Sequence, residues 1–382
     1  MTKNQIPFNK PYLSGMELNY IRQAHENGQL AGDGTYTKLC SNNLEKIIGC
    51  NKALLTHSCT AALELAALVL DLQPDDEVIM PSYTFVSTAN AFVLRGAIPV
   101  FVDVRADTLN INETLIEEAI TSKTRAIVPV HYAGVSCEMD TINAIAKKYE
   151  LAVIEDAAQA ILSTYKNRAL GSIGDLGALS FHETKNIISG EGGALLINQN
   201  RFEVPAEIMR EKGTNRTQFF NGAIDKYTWI DKGSSLLPGE LIAAFLWAQL
   251  QNAQEITSKR LTSWDEYHHL LQPLEEEGIL RRPIIPTECK HNGHIYYVIL
   301  NDKYERQKVL LRLRDHGINA VFHYIPLHSS PGGIKYGSKD LKSLPVTDWA
   351  SKQLIRLPIW VGISQQEIAA VVKCLRETLQ DL

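Results

Sequence analysis

A lysine between two apolar segments is the residue of this sequence that is best placed to do chemistry. Lys185 follows the apolar run at residues 176–179 and precedes a second apolar run at 194–197, with glycines at 190, 192 and 193 in between. Burial lowers the pKa of a lysine, and a neutral amine can attack a carbonyl carbon. The position suggests a Schiff-base lysine that holds pyridoxal phosphate. The competing interpretation is an ordinary loop lysine.

Four short polar segments follow predicted strands and contain the other groups that such a cofactor needs. They are residues 81–85 (PSYTF), 131–134 (HYAG), 155–159 (EDAAQ) and 180–185 (SFHETK). Ligands of parallel α/β sheets bind at the carboxyl ends of strands, so we expect these segments to meet at one edge of the sheet. An aromatic ring could stack on the cofactor, a carboxylate could keep its pyridine nitrogen protonated, and hydroxyls could bind its phosphate.

A further polar segment, residues 57–60 (HSCT), precedes an Ala- and Leu-rich helix predicted at 61–70. Ser58 or Thr60 is a suitable N-cap residue. Free N–H groups and the dipole at the beginning of a helix favour an anion, so this turn could bind the phosphate. The alternative is that the hydroxyl only caps the helix.

Strands and helices alternate along most of the chain, which predicts βαβ units and a mostly parallel sheet in the α/β class. The pattern changes near residue 281, so we expect a large domain at 1–255 and a small α+β domain at 256–382. The predicted strands are 53–56, 77–80, 99–104, 125–130, 151–155, 176–179, 194–197, 294–300 and 319–323, and the predicted helices are 16–27, 37–48, 61–70, 84–95, 112–121, 139–149, 203–212, 240–253, 256–277, 304–316 and 364–379.

Composition excludes several classes of function. A net charge of −5 with scattered basic residues gives no reason to expect nucleic acid or a membrane surface as a partner. The six cysteines show no metal-ligand spacing and are expected to be free thiols in a reducing compartment. No signal peptide or membrane-spanning run is recognisable, so we expect a cytoplasmic protein without a bound metal.

Four longer runs, at residues 57–61, 80–90, 180–186 and 210–216, resemble those of the DegT/DnrJ/EryC1/StrS sugar aminotransferases. The resemblance extends over nearly the whole chain. It implies the aspartate-aminotransferase-like fold, which is fold type I of the pyridoxal phosphate enzymes. That fold has a large, mostly parallel α/β/α domain and a small α+β C-terminal domain.

The resemblance also implies roles around the cofactor, pyridoxal 5'-phosphate. Lys185 would be the catalytic residue, which carries the cofactor and moves the proton. Asp156 would pair with the pyridine nitrogen, Gln159 would bind the phenolic side of the ring, and Phe85 would stack on the ring. The residues that would hold the phosphate are Thr60, Ala61 and Ser180.

On the substrate side, the resemblance implies that His323, Tyr324 and His328 face a sugar nucleotide. His182 could also face substrate, and a packed core histidine is the alternative. The reaction would move an amino group from L-glutamate to C4 of dTDP-4-keto-6-deoxyglucose, giving dTDP-4-amino-4,6-dideoxygalactose for enterobacterial common antigen or O-antigen. The family forms homodimers with sites at the interface, and the loop at 210–235 would suit that role.

Two positions of this sequence can be compared with the family's usual pattern. The family often has a Tyr-Asn pair where this chain reads Gly-Ser-Ser-Leu-Leu at 233–237, so Ser234 or Ser235 would have to replace the asparagine. A dehydratase branch has histidine where this chain has Lys185, which favours amine transfer. The alternatives are amination at C3 of a related sugar, a non-catalytic cofactor-binding regulator, and a nicotinamide-dependent oxidoreductase. Against the oxidoreductase, no Gly-x-Gly-x-x-Gly motif follows any predicted strand of this sequence.

Overall fold

The computed structural model of the protein describes residues 5–220, 222–340 and 342–382. Its main feature is a seven-stranded sheet with the strand order β1-β9-β8-β5-β4-β2-β3, accompanied by two three-stranded sheets, β10-β12-β13 and β11-β6-β7. The strands are β1 (Lys52–Thr56), β2 (Glu77–Pro81), β3 (Ile98–Val102), β4 (Thr124–Ile127), β5 (Ala152–Asp156), β6 (Thr164–Tyr165), β7 (Arg168–Ala169), β8 (Leu176–Ser180), β9 (Gly193–Ile197), β10 (Leu280–Arg281), β11 (Cys289–Lys290), β12 (Tyr296–Leu300) and β13 (Leu354–Leu357).

Helices cover the faces of the large sheet and build most of the C-terminal part. They are α1 (Glu17–Glu26), α2 (Thr35–Ile48), α3 (Cys59–Val69), α4 (Val86–Val93), α5 (Met139–Lys148), α6 (Glu203–Arg210), α7 (Arg216–Phe220), α8 (Glu240–Gln251), α9 (Ala253–Leu270), α10 (Gln272–Glu276), α11 (Arg306–Asp315), α12 (Pro331–Tyr336), α13 (Pro345–Gln353) and α14 (Gln365–Gln380).

The predicted mostly parallel sheet is confirmed. Neighbouring strands from β3 through β2, β4 and β5 to β8 are parallel, and β9 alone reverses, pairing antiparallel with both β1 and β8. The central strands are short apolar runs that are buried on both faces, as parallel strands between helices must be. In β2, for example, Val78 and Met80 enter one hydrophobic cluster and Ile79 enters the cluster on the opposite face.

The C-terminal part has its own core. Residues of α9, α11, α14, β12 and β13 form a third hydrophobic cluster, and a fourth cluster joins this part to the large sheet through side chains such as Tyr83, Tyr132 and Tyr297. Helix α14 begins with a capping box between Ser364 and Glu367. Helix α9 passes without a break through the predicted boundary at 255/256, and the division into two domains stays a prediction.

Two predicted elements are wrong. Residues 112–121 form two short 3-10 turns rather than a helix, since Glu113 turns inward to Arg105 with an oxygen-to-nitrogen distance of 2.9 Å and Asn112 caps its own turn. Residues 319–323 make only an isolated bridge, between Val321 and Arg356, because the chain then turns toward the large sheet. Across the described residues, no helix combines the length and apolar character that crossing a bilayer requires.

Candidate active site

A cavity of about 800 Å³ lies at the carboxyl ends of β2, β5 and β8, where the C-terminal part faces the large sheet. Ala61 and His328 lie outside its lining, and a smaller cavity beside β3 includes no residue predicted to be functional. The predicted site residues that line the large cavity are Thr60, Phe85, Asp156, Gln159, Ser180, His182, Lys185, His323 and Tyr324.

Lys185 lies in the loop that joins the antiparallel neighbours β8 and β9. Three backbone hydrogen bonds hold this loop: Phe181 N–H to Gly192 O, Glu183 N–H to Gly190 O and Lys185 N–H to His182 O, each 2.8 Å long. Burial lowers the pKa of the Lys185 amine, with a smaller contribution from the positive charge of Arg356, while Cys59 and Asp156 act in the opposite direction. The net effect favours the neutral amine that nucleophilic and base chemistry require.

Asp156 ends β5 and is only 5% exposed. Its carboxylate accepts a hydrogen bond from the Thr88 hydroxyl at 2.7 Å and from the Ala158 N–H at 3.2 Å. The Thr84 and Thr88 hydroxyls are 2.8 Å apart, so α4 and its N-terminal turn hold the carboxylate in place. No Lys, Arg or His nitrogen of the described residues lies within 4.0 Å of Asp156, so a buried carboxylate faces the cavity without a cation.

The beginning of α3 presents backbone N–H groups to the cavity, an arrangement that suits an anion. Ser58 is the N-cap, as the sequence allowed, and its hydroxyl accepts from the Ala61 N–H at 3.0 Å. Within the described chain, the N–H groups of Cys59 and Thr60 have no hydrogen-bond acceptor, and they lie at the positive end of the helix dipole. Gly193 packs against this turn, where a Cβ atom would lie 2.5 Å from the Cys59 nitrogen. Because the Ala61 N–H already donates to the Ser58 hydroxyl, it is not available to a bound anion.

Aromatic side chains form part of the cavity wall. The Gln159 side chain accepts from the Ala133 N–H at 2.8 Å and donates to the Tyr324 hydroxyl at 3.0 Å. The His323 ring contacts the Tyr132 hydroxyl, 2.9 Å from Nδ1, and burial lowers its pKa well below the usual range, so His323 is neutral. Phe85 is 58% exposed and offers an open ring face to a ligand.

The other two histidines predicted to face substrate, His182 and His328, have different surroundings. His182 is at the rim of the cavity, where its Nδ1 lies 2.9 Å from the Thr184 hydroxyl, so it is not a core residue. His328 is held by the Ser82 hydroxyl, 2.7 Å from Nδ1, with Asp348 3.4 Å from Nε2. Ser234 and Ser235 are exposed and do not line this chain's cavity.

Comparisons with known proteins decide the family. The family model of the DegT/DnrJ/EryC1/StrS aminotransferase family matches residues 11–376. The chain belongs to this family. Its aminotransferases are pyridoxal phosphate-dependent enzymes that act on sugars, and the protein is an enzyme of that class.

Individual relatives agree with this assignment. The uncharacterized protein MJ1066 of Methanocaldococcus jannaschii is 35% identical over 87% of each chain. The spore coat polysaccharide biosynthesis protein SpsC of Bacillus subtilis is 31% identical over 98% of this chain and 97% of its own. The aminotransferase TlmJ of Streptoalloteichus hindustanus has a TM-score of 0.90 at 27% identity, over 98% and 99% of the two chains. The predicted fold class is thereby confirmed.

The donor set of the cavity fits pyridoxal phosphate. The N–H groups at the start of α3 suit a phosphate, the unpaired Asp156 carboxylate suits a protonated ring nitrogen, and the exposed Phe85 ring suits an aromatic ligand. The Lys185 amine suits an aldehyde, because burial lowers its pKa. All four features face one cavity, so the residues present can hold the whole cofactor.

The sequence alone does not predict Thr88, Arg260 or Arg356 as residues of the cavity. Thr88 lies one helical turn after Thr84, and this i, i+4 spacing of hydroxyls behind a strand was the available signal. Arg260 donates to the backbone oxygens of Gly293 and His294, and no pattern marked it. Arg356 is a charged residue inside the apolar run at 354–357, which is an unusual place for a cation.

Proposed function

We propose that this enzyme transfers the amino group of L-glutamate to C4 of dTDP-4-keto-6-deoxyglucose and releases dTDP-4-amino-4,6-dideoxygalactose. The observation that carries the proposal is that one cavity contains both a lysine of lowered pKa and a buried, cation-free carboxylate. That pair, with an anion site at the start of α3, is what amine transfer on pyridoxal phosphate requires.

The proposed roles follow from what each side chain offers. Lys185 holds the cofactor covalently, Asp156 pairs with its ring nitrogen, and Phe85 stacks on its ring. Gln159 has one amide N–H left after its bond to Tyr324, which is available to the phenolic oxygen. Thr60 and Ser180 contribute hydroxyls to the phosphate site, and Ala61 serves that site through the cap at Ser58.

The chain's own residues perform the proton transfers. Pyridoxal phosphate, when bound, supplies an electron sink that stabilises negative charge at the substrate carbon. The Lys185 Nζ, when free and neutral, would take the proton from the α-carbon of glutamate, and in its protonated form it would later give a proton to C4 of the sugar, so the amine must change between these two states during turnover. Asp156, fixed by Thr88, keeps the ring nitrogen protonated, and neutral His323 and Tyr324 form the wall against which the sugar lies.

The size and charge of the cavity support a nucleotide-sugar substrate. A volume of about 800 Å³ lies in the upper part of the usual range for ligand pockets, which leaves room beside a cofactor. Lys185, Arg260 and Arg356 line it, while its carboxylates are Asp156 and the exposed Glu191, so the lining favours anionic ligands. A polysaccharide biosynthesis relative, SpsC, agrees with a sugar substrate.

We also propose a homodimer with the two sites at its interface. The end of α7 and the segment after it expose large apolar side chains, among them Phe220 at 67%, Tyr227 at 51% and Trp229 at 77%. Exposed aromatic clusters of this kind mark protein-protein contacts. Ser234 and Ser235 follow directly and would reach the partner's phosphate site in place of the asparagine.

The decisive experiment supplies the purified holoenzyme with L-glutamate and dTDP-4-keto-6-deoxyglucose and identifies the product by NMR. The expected product carries nitrogen at C4 with the galactose configuration. Amination at C3, seen with the corresponding 3-keto sugar and absent with the 4-keto sugar, would refute the proposed position. Sedimentation of the same preparation measures its oligomeric state.

A further inference from the structure

His294 is a buried histidine of the cavity wall for which the proposed mechanism gives no role. It is only 6% exposed, it lines the cavity, and it lies two residues before β12. Its Nδ1 lies 3.0 Å from the side-chain oxygen of Asn186. Asn186 directly follows Lys185 in the chain and is itself buried, but it does not line the cavity. The imidazole therefore lies between the loop that carries Lys185 and the open space of the cavity.

Hydrogen bonds hold the backbone of His294 on both sides. The Arg260 Nη2 donates to the His294 oxygen at 2.6 Å, and the His294 N–H donates to the side-chain oxygen of Asn292 at 3.1 Å. The Asn292 side-chain nitrogen donates in turn to the backbone oxygen of Gln159 at 2.9 Å. Since Gln159 lines the same cavity, the fold itself sets where the imidazole lies relative to the cofactor site.

The neighbours of His294 decide which ring nitrogen carries the hydrogen. The Asn186 side-chain nitrogen donates to the Asn292 backbone oxygen at 2.8 Å, so the amide oxygen of Asn186 is the atom that faces the imidazole. An amide oxygen can only accept, so Nδ1 of His294 carries the hydrogen and Nε2 of the neutral ring is an acceptor. The two nitrogens of an imidazole point in nearly opposite directions. Because Nδ1 faces a residue outside the cavity lining, Nε2 is directed into the cavity.

The imidazole of His294 stays neutral and its Nε2 is free. Burial lowers the pKa of His294 well below the usual range, and the positive charges of Lys185, Arg260 and Arg356 lower it further. Among the described residues, no donor forms a hydrogen bond with Nε2. A buried acceptor without a donor costs free energy, so this nitrogen is available to a ligand of the cavity.

A neutral acceptor nitrogen selects among the ligands of this enzyme class by chemistry. Ionised carboxylate and phosphate groups only accept hydrogen bonds, so neither an amino-acid donor's carboxylates nor a phosphate can pair with Nε2. The donor's amino nitrogen is the atom that is transferred and is committed to the reaction. A hexose has hydroxyl groups, each of which can donate one hydrogen bond. The sugar is therefore the substrate that matches this nitrogen.

We propose that His294 is a specificity residue for the sugar, because its Nε2 accepts a hydrogen bond from one hydroxyl group of the hexose ring. Asn186 is the positioning residue that fixes the required tautomer. The inference deepens the proposed function at the same site, but it rests only on a keto sugar with free hydroxyl groups as substrate, and not on C4 as the aminated position.

A double-mutant cycle between protein and sugar tests this contact. The amino form of wild type or of His294→Asn is mixed with the keto sugar, or with analogues that each lack one ring hydroxyl, and single turnovers are followed by the cofactor's absorbance. An uncharged hydrogen bond contributes about 2- to 12-fold, so one analogue lowers kcat/KM of wild type by about that factor. His294→Asn loses a similar factor with the intact sugar and no longer distinguishes that analogue from it.

Two substitutions separate the roles of the two ring nitrogens. The short amide of His294→Asn can still donate to Asn186 but does not reach the place of Nε2. The longer amide of His294→Gln brings an acceptor oxygen to that place, so this variant regains most of the kcat/KM for the sugar. The KM for L-glutamate in the first half-reaction is unchanged in both variants. The assignment is overturned if His294→Asn distinguishes the analogues as wild type does, if His294→Gln is as slow as His294→Asn with the sugar, or if both half-reactions are impaired equally.

A spectroscopic measurement does not depend on turnover. In holoenzyme labelled with 15N at its histidines, the His294 signals are assigned by their absence from His294→Gln. They show a protonated Nδ1 and a bare Nε2, and binding of the amino-sugar product shifts the Nε2 signal. A hydrogen on Nε2 of the free enzyme, or an Nε2 signal that the sugar leaves in place, would contradict the proposal.

His291→Asn is the matched control. His291 lies three residues before His294, and its ring packs against Trp264 with the ring centres 4.3 Å apart, outside the cavity lining. This variant distinguishes the analogues as wild type does. The cycle uses whichever keto sugar wild type aminates, the 4-keto or the 3-keto compound. If that is the 3-keto sugar and His294→Asn loses the discrimination, the proposed position C4 is refuted and the hydroxyl contact stands.

Discussion

The hydrogen bond from Thr88 to Asp156 allows a test of how the carboxylate proposed to pair with the ring nitrogen is held. The Thr88 side chain is fully buried, and its hydroxyl both accepts from Thr84 and donates to Asp156. Thr88→Val removes that hydroxyl while nearly preserving the shape of the side chain. The Asp156 carboxylate then keeps only the Ala158 N–H, whose bond is 3.2 Å long.

The magnitude follows from the two bonds that are lost. A hydrogen bond to a charged group is worth about 1.5–3 kcal/mol and a neutral one about 0.5–1.5 kcal/mol, so the unfolding free energy of the apoprotein falls by about 2–4 kcal/mol. A carboxylate with fewer donors competes better for the proton of the ring nitrogen. Since about 1.4 kcal/mol is a factor of ten, kcat falls by about 10- to 100-fold.

The assay is steady-state transamination at saturating cofactor, combined with urea unfolding of the apoprotein. Thr88→Ser is the control, because it keeps the hydroxyl and removes only a methyl group, and it retains most of the rate. A Thr88→Val enzyme with the kcat of wild type would show that the hydroxyl does not govern the state of Asp156, and the reasoning would fail.

Three further predictions concern the same cavity. Lys185→Ala abolishes turnover and removes the visible absorbance of the bound cofactor, as scanning spectrophotometry will show; a coloured, active variant contradicts the role of this lysine. In the apoprotein, wild type gains stability relative to Lys185→Met as pH rises from the lowered pKa of Lys185 toward 10.5, because only the unfolded chain still holds the proton in that window. Urea unfolding across that range measures the difference, and a difference independent of pH rejects the burial argument. Gly193→Ala places a Cβ atom 2.4 Å from the Ser58 carbonyl carbon, so β9 or the start of α3 must shift and cofactor affinity falls; titration of the apoprotein measures it, and unchanged affinity contradicts the close approach.

The sequence predicts the parts of the site that follow strands directly. The segments after β2, β5 and β8 were identified because the carboxyl ends of parallel strands share an edge, and they line the cavity. Ser58 was recognisable as an N-cap from its residue type. Lys185 stood out because a charge between two apolar runs has few structural uses.

Other features depend on pairing that one sequence does not display. The apolar sequence of β9 is compatible with parallel or antiparallel pairing. Its antiparallel pairing with β1 and β8 follows from the loop that connects β8 to β9. The helix predicted at 112–121 does not form, because the Glu113 carboxylate pairs with Arg105, eight residues earlier in the chain. Arg356 could not be placed in the cavity from sequence, because β13 reaches it through its bridge to Val321.

The hairpin of β8 and β9 also sets a constraint on how this enzyme can change. Ser180 and Gly193 are paired across the β8–β9 hairpin. The strand that leads to Lys185 and the glycine that packs against the start of α3 therefore cannot move independently. A slip of one residue would displace Lys185 and Gly193 relative to each other and would move the side chains of the shifted strand to the opposite face of the sheet. We therefore expect changes in substrate specificity to arise from the C-terminal residues that line the cavity. We expect insertions in the β8–β9 hairpin to be rare among active relatives.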